Sequence, residues 1–232
     1  MKGLVSWIVF SITSLVLSHD NTKRLLLNDP DVMERLDKLE KLVHQLQSSP
    51  STKLHSGATY IRWGRSDCSH NNTRLIYSGY AGGSKYDASG AAVDNLCMPP
   101  DPDYEKTQGL NDYGRLYGAE YNSNFFASNA DAQDVPCAVC EAIDSLSIIM
   151  IPGKMNCYGD WKMEYNGYLA AHSYSNPAAT SYACIDKNPQ FLPGGHVQYN
   201  EKVFGEVLTK CGSLPCPPYI EGYPVTCVVC SK

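Results

Sequence analysis

Apolar positions along this chain change their period once. Between Pro30 and Gln47 they fall at Val32, Leu36, Leu39, Val43 and Leu46, in alternating long and short steps that make the seam of a coiled coil. Asp29 is a helix cap, Pro30 suits the first helical position because it lacks an N–H, and Asp31 faces the positive end of the helix dipole. With Leu36 and Val43 at a, and Leu39 and Leu46 at d, Arg35 falls at g and Glu40 at the following e, where they pair between parallel chains. Glu34 before Lys38 and Asp37 before Lys41 support the helix itself. A helix over 30–47 is about 27 Å long, too short to hold an oligomer together alone. The stripe has two readings, a self-association seam or a face folded back on the protein's own globular part, and the matched g/e pair favours self-association. The polar run 48–56, opened by Ser48-Ser49-Pro50-Ser51, is a linker.

From Gly57 onward the pattern becomes that of strands. Thr59 to Trp63, Leu75 to Tyr77, Ser147 to Ile151 and Val225 to Val229 are short runs of β-branched and aromatic residues, punctuated by Gly, Pro, Asn and Asp. No long helical period interrupts them, so the region is expected to be all-β with irregular loops. Asp101 to Gln108 and Asn122 to Gln133 are the longest of these, and the second is expected to be the mobile one.

The same region is written twice, at a period of about 90 residues. Gly64-Arg65 with Cys68 is answered by Gly153-Lys154 with Cys157, and Tyr77-Ser78-Gly79-Tyr80 by Tyr165-Asn166-Gly167-Tyr168. Cys97, Pro102 and Tyr104 return as Cys184, Pro189 and Phe191; Tyr117-Gly118 returns as Phe204-Gly205. Cys137-Ala138-Val139-Cys140 returns as Cys227-Val228-Val229-Cys230. The expected organisation is a signal peptide over 1–18, a coiled-coil helix over 30–47, a linker over 48–56, and two homologous β subdomains over 57–142 and 143–232.

Composition and charge narrow the function. Lys2, the apolar stretch Leu4 to Leu17 and Val16-Leu17-Ser18 read as a secretory signal; the stretch is too short, and too abruptly followed by polar residues, for a membrane span. Export places the ten cysteines in an oxidising compartment, where an even number forms disulfides. It also makes Asn71, in Asn71-Asn72-Thr73, a glycosylation site. A net charge of −5 with scattered basic residues lacks the footprint of a nucleic-acid binder.

Catalytic chemistry finds little support. His19, His44, His55, His70, His172 and His196 are dispersed without metal-site spacing, and no nucleophile elbow occurs. Gly79-Tyr80-Ala81-Gly82-Gly83 lacks the Lys-Ser/Thr of a phosphate loop, and Asp101, Asp103 and Glu105 lack EF-hand spacing. Glu120 and Glu164 make a carboxylate pair only on paper. The Cys-X-X-Cys pairs look like strand, whereas a redox site needs a helix start, and zinc thiolates do not persist in an exported chain. Residues three apart on a strand face opposite sides, so each cysteine of a pair seeks a different distant partner. No catalytic residue, metal or cofactor is expected. Sequence alone leaves the pairing of the cysteines open.

Pro136-Cys137-Ala138-Val139-Cys140-Glu141-Ala142, then Ile149-Met150-Ile151-Pro152, Cys157, Trp161 and Tyr165-Asn166-Gly167-Tyr168, resembles the junction between the two halves of the C-terminal non-collagenous domain of type IV collagen. The start at Trp63-Gly64-Arg65 and the stretch Leu214-Pro215-Cys216-Pro217-Pro218-Tyr219 look closest to the spongin-like short-chain collagens of invertebrates. The resemblance implies bonds from Cys68 to Cys140, Cys97 to Cys137, Cys157 to Cys230, Cys184 to Cys227 and Cys211 to Cys216. It implies a fold of two tandem homologous disulfide-stapled β subdomains preceded by the short coiled-coil helix. There is no Gly-X-Y tract, so no collagen triple helix forms. The expected protein is secreted, non-enzymatic and structural, a homo-oligomer with a trimer favoured, in an extracellular or skeletal organic matrix alongside other matrix proteins or glycans. An oligomeric, lectin-like glycan-recognition protein is the alternative.

Overall fold

The computed structural model describes residues 30–48, 56–105 and 114–232. The signal peptide, Asp29, most of the linker and the end of the Asp101 loop lie outside the described residues. The chain divides into two units, residues 1–54 and residues 55–232.

In the first unit, helix α1 spans Pro30–Ser48, with Asp31 in its first turn. Asp37 and Lys41 pair at 2.7 Å across one turn, as the four-residue spacing on a helix allows.

The second unit is β. Its strands are β1 (Gly57–Trp63), β2 (Thr73–Gly83), β3 (Leu96–Met98), β4 (Tyr117–Tyr121), β5 (Pro136–Ile143), β6 (Ile148–Pro152), β7 (Lys162–Ala171), β8 (Ala183–Asp186), β9 (Lys202–Glu206) and β10 (Thr226–Ser231). They join in one sheet system in the order β6-β10-β7-β8-β1-β5-β2-β4-β9, with β3 on β2 and β9 also on β7. Among the described residues the protein is thus mostly β-sheet with one short helix and five disulfides.

The strand pairing follows the sequence repeat. β5 lies between β1 and β2 as β10 lies between β6 and β7, each pair antiparallel. β3 and β4 pair with β2 as β8 and β9 pair with β7. Trp63 faces Cys137 across the ladder, and Pro152 faces Cys227. Two glycines show why the repeat keeps small residues here: a Cβ on Gly79 would sit 1.8 Å from the Met98 carbonyl oxygen, and one on Gly167 1.7 Å from that of Ile185. In one strand pair the sequence alignment is a residue out. Val135 N donates to Ala119 O at 2.9 Å and Val225 N to Val207 O at 2.8 Å, which matches Ala119 with Val207 and therefore Leu116, not Tyr117, with Phe204.

Alternate residues of β5 enter different cores. Cys137 belongs to a cluster with Trp63, Tyr121, Phe126, Val135, Ile185 and Phe204. Cys140 belongs to another with Tyr60, Tyr165, Leu169, Cys227 and Val229. One expectation is overturned. The stretch from Asn122 to Gln133 is a packed corner, not a mobile loop: Phe126 and Ala130 are buried in the first cluster, and Ala132 N donates to Tyr121 O at 3.0 Å. Its apolar residues are spaced for a turn, so no strand or helix period betrayed them.

Candidate interaction surface

The framework that fixes the surface is covalent. Cys68 is bonded to Cys140, Cys97 to Cys137, Cys157 to Cys230, Cys184 to Cys227 and Cys211 to Cys216, and no cysteine is free. The first four tie strand to loop or strand to strand, at separations of 40 to 73 residues. By the chain-entropy estimate, a loop of the longest span removes about 4 kcal/mol of unfolded-state freedom. Four of their cysteines, Cys137, Cys140, Cys227 and Cys230, are fully buried. Such a set fits an oxidising extracellular environment.

Two parallel contacts join the copies of the repeat within the chain. Trp63 of β1 pairs with Ile185 of β8, and Ala119 to Tyr121 of β4 run beside Lys202 to Phe204 of β9. The Trp63 and Phe204 rings lie 6.1 Å apart, and Phe191 meets Tyr121 edge-on at 5.7 Å. Tyr121 donates to Gln190 O at 3.1 Å, and Gln190 N to Gly64 O at 2.7 Å. Polar side chains complete the junction. Arg62 forks onto buried Asp186 at 2.7 Å, and Tyr60 donates to buried Glu164 at 3.1 Å. Phe204 and Ile185 are wholly shielded from solvent here.

The repeat provides counterparts for the members of this junction, and several of them are uncovered. Leu116, matching Phe204, is 52% exposed, and Tyr104, matching Phe191, is 82% exposed. Pro152, matching Trp63, is exposed. Tyr60 and Glu164 correspond to Ile149 and Ile76, both exposed apolar side chains. Where Trp63, Ala81 and Val135 receive Phe204 and Ile185, the matching residues Pro152, Leu169 and Val225 line an open groove of about 290 Å³, with Leu208, Leu214 and Tyr219 on its walls. The sequence does not mark this surface, since solvent exposure of a repeated apolar position leaves no trace in the pattern itself.

Helix α1 carries the other apolar face. Leu36, Leu39 and Val43 are exposed, Val32 is half-buried, and Leu46 lies in the helix with its side chain outside the described residues. Met33 and Leu42, which the seam did not include, are exposed as well. Asn71 is exposed in the turn before β2, where Thr73 hydroxyl donates to His70 O at 2.6 Å.

The two buried glutamates are engaged in hydrogen bonds. Glu120 accepts from Tyr199 N at 2.8 Å and Asn200 N at 3.3 Å, and its burial raises its pKa. Glu164 accepts from Ser231 at 2.6 Å in addition to Tyr60. Asp101, Asp103 and Glu105 are exposed. His172 donates Nδ1–H to Ala178 O at 3.1 Å, leaving a buried Nε2 without a hydrogen-bond partner, and burial lowers its pKa. Among the described residues no cluster of His, Cys, Asp and Glu is arranged to hold a metal ion, and no helix is long and apolar enough to cross a membrane. Comparison with known proteins finds no family model and no curated protein that matches the chain.

Proposed function

We propose that this chain is a secreted, non-enzymatic structural protein that assembles head to tail into a homo-oligomer, a trimer favoured, in an extracellular or skeletal organic matrix. The residues 57–142 and 143–232 act as two tandem homologous subdomains, similar to the non-collagenous domain of type IV collagen and its short-chain invertebrate relatives. One observation carries the reading: the junction inside the chain buries Phe204, Ile185 and Trp63, while among the described residues the matching Leu116, Met98 and Pro152 make no such pairing between the two copies. A second copy offers its Leu116 and Tyr104 to the groove beside Pro152, Leu208 and Val225, and its Ile76 to Ile149. The interface is heterologous, so a closed ring satisfies every copy and leaves no open end. The polar pair Tyr60 and Glu164 becomes an apolar pair, Ile149 and Ile76, which suits an obligate contact better than an exchanging one. The α1 seam raises the local concentration of the copies; Leu at both a and d leaves the oligomer number to the β unit.

Complementation tests this. Leu116→Asp spoils the inserted side and Leu208→Asp the receiving side, so each variant alone sediments mainly as monomer. Mixed, they form dimers, because one intact inserted face meets one intact groove. Wild-type-like assembly of both variants, or a mixture that stays monomeric, overturns the head-to-tail arrangement.

Glycan recognition is the second reading, favoured by Tyr182 and Tyr219 beside the same groove. A saccharide-specific signal on a glycan array, lost in Tyr219→Ala, supports it over the matrix role.

A further inference from the structure

We propose that the Cys211–Cys216 bridge is a site of thiol–disulfide exchange, and that opening it dismantles the groove into which the next copy inserts. This rests on the head-to-tail reading above. Of the ten cysteines, Cys216 alone is exposed, and its partner Cys211 is half-buried. Every other bridge has at least one cysteine almost entirely shielded, with Cys140, Cys137, Cys230 and Cys227 at 0% exposure. Exchange proceeds by in-line attack of a thiolate on sulfur, so access selects the bridge that reacts. Cys211–Cys216 has no counterpart in the first copy of the repeat, and it spans only 5 residues, so the core does not depend on it.

Its position gives the reaction a consequence. The loop from Thr209 to Tyr223 is closed at its base by Thr209 N to Tyr223 O at 3.0 Å and Gly222 N to Thr209 O at 2.9 Å, and Lys210 pairs with Glu221. Those contacts survive reduction. Beyond them, the tip is held by the bridge, by Cys211 N to Glu221 Oε2 at 2.5 Å, by Gly212 N to Leu214 O at 3.2 Å and by Tyr219 N to Pro215 O at 3.3 Å. Leu214 lies between the two cysteines and Tyr219 follows them, and both are groove walls. The reductant is a dithiol. Its thiolate attacks the exposed Cys216 sulfur, Cys211 leaves as a thiol, and the second thiol displaces Cys216 from the mixed disulfide. Two electrons and two protons pass to the bridge, and the dithiol ends as a cyclic disulfide.

Limited reduction of the native full-length protein with dithiothreitol, followed by alkylation and peptide mapping, reads the site, and sedimentation of the same samples reads assembly. The expected result is alkylation at Cys211 and Cys216 before any other cysteine, with at least a tenfold rise in the dissociation constant. Cys211→Ser/Cys216→Ser assembles as weakly as the reduced protein and no longer responds to dithiothreitol. Prior labelling of another bridge overturns the exchange site. Unchanged assembly with the bridge open, or in the double serine variant, overturns its control of the groove. A monomeric oxidised wild type instead sinks the head-to-tail reading itself.

Discussion

Tyr60 of β1 donates its phenol proton to Glu164 of β7 across 3.1 Å, and the carboxylate that receives it is 1% exposed. Glu164 sits where the pairing of β10 with β7 slips, and its other oxygen takes the Ser231 hydroxyl at 2.6 Å. One buried carboxylate therefore ties the first strand, the seventh and the last.

Removing it takes the acceptor from the buried Ser231 hydroxyl and leaves the Tyr60 hydroxyl to Ser69 at 3.3 Å, which costs about 1–3 kcal/mol. Glu164→Ala is expected to lower the midpoint of urea unfolding accordingly, with Tyr60→Phe costing less because the carboxylate keeps Ser231. Equal stability of Glu164→Ala and wild type would show the network to be ornamental.

Lys202 is 1% exposed, donates to the Thr180 hydroxyl and lies 5.5 Å from the Phe204 ring centre, with no salt bridge among the described residues. Burial lowers its pKa from 10.5 to about 8. The unfolded chain thus binds more protons than the folded one between these values, and stability contributed by this group rises with pH from about 8 to about 10.5. Below about 8 the cost of the buried charge is present in full. Lys202→Met is expected to be more stable than wild type at pH 7, by on the order of 1 kcal/mol or more, and the difference should shrink through pH 8 to 10 in thermal melts. A difference that is constant with pH removes the titration argument.

Gly79 and Gly167 make the same close approach, to Met98 and Ile185 carbonyls. Alanine at either forces backbone apart inside a sheet, a loss on the order of 3 kcal/mol. At Gly118 no atom of the described residues lies within 4 Å of where a Cβ would sit, and it provides the control. Measured unfolding free energies should separate Gly79→Ala and Gly167→Ala from Gly118→Ala; three similar values would refute the strand packing described.

On α1, Leu39 is 58% exposed at a d position of the seam. Leu39→Asp is expected to weaken self-association several-fold in sedimentation experiments while the β unit keeps its melting temperature. A drop in melting temperature with unchanged association would instead favour the folded-back helix.

Several particulars of the fold are legible in the residues. The α1 period, closed by Ser48, locates the helix, and the Thr59 to Trp63 and Val225 to Val229 runs locate β1 and β10. Strands β3, β4, β8 and β9 are three to five residues long, and the last three carry Gly or charged residues, so neither alternation nor propensity marks them. The packed corner at Phe125 and Phe126 is illegible for a related reason: its order comes from Tyr121 and Tyr168 rings brought in from elsewhere, with Phe125 edge-on to Tyr168 at 4.8 Å. The groove was hidden because Leu116 and Phe204 are both apolar and occupy matching places in the repeat.

What the chain's order of residues determined is local or periodic: the helix, the β character, the duplicated landmarks and an even complement of cysteines for an oxidising compartment. Only the tertiary structure decided which copy of each repeated surface is covered. The repeat supplies matching apolar positions twice, but the described residues fill one junction, so Phe204 meets Trp63 while Leu116 faces solvent.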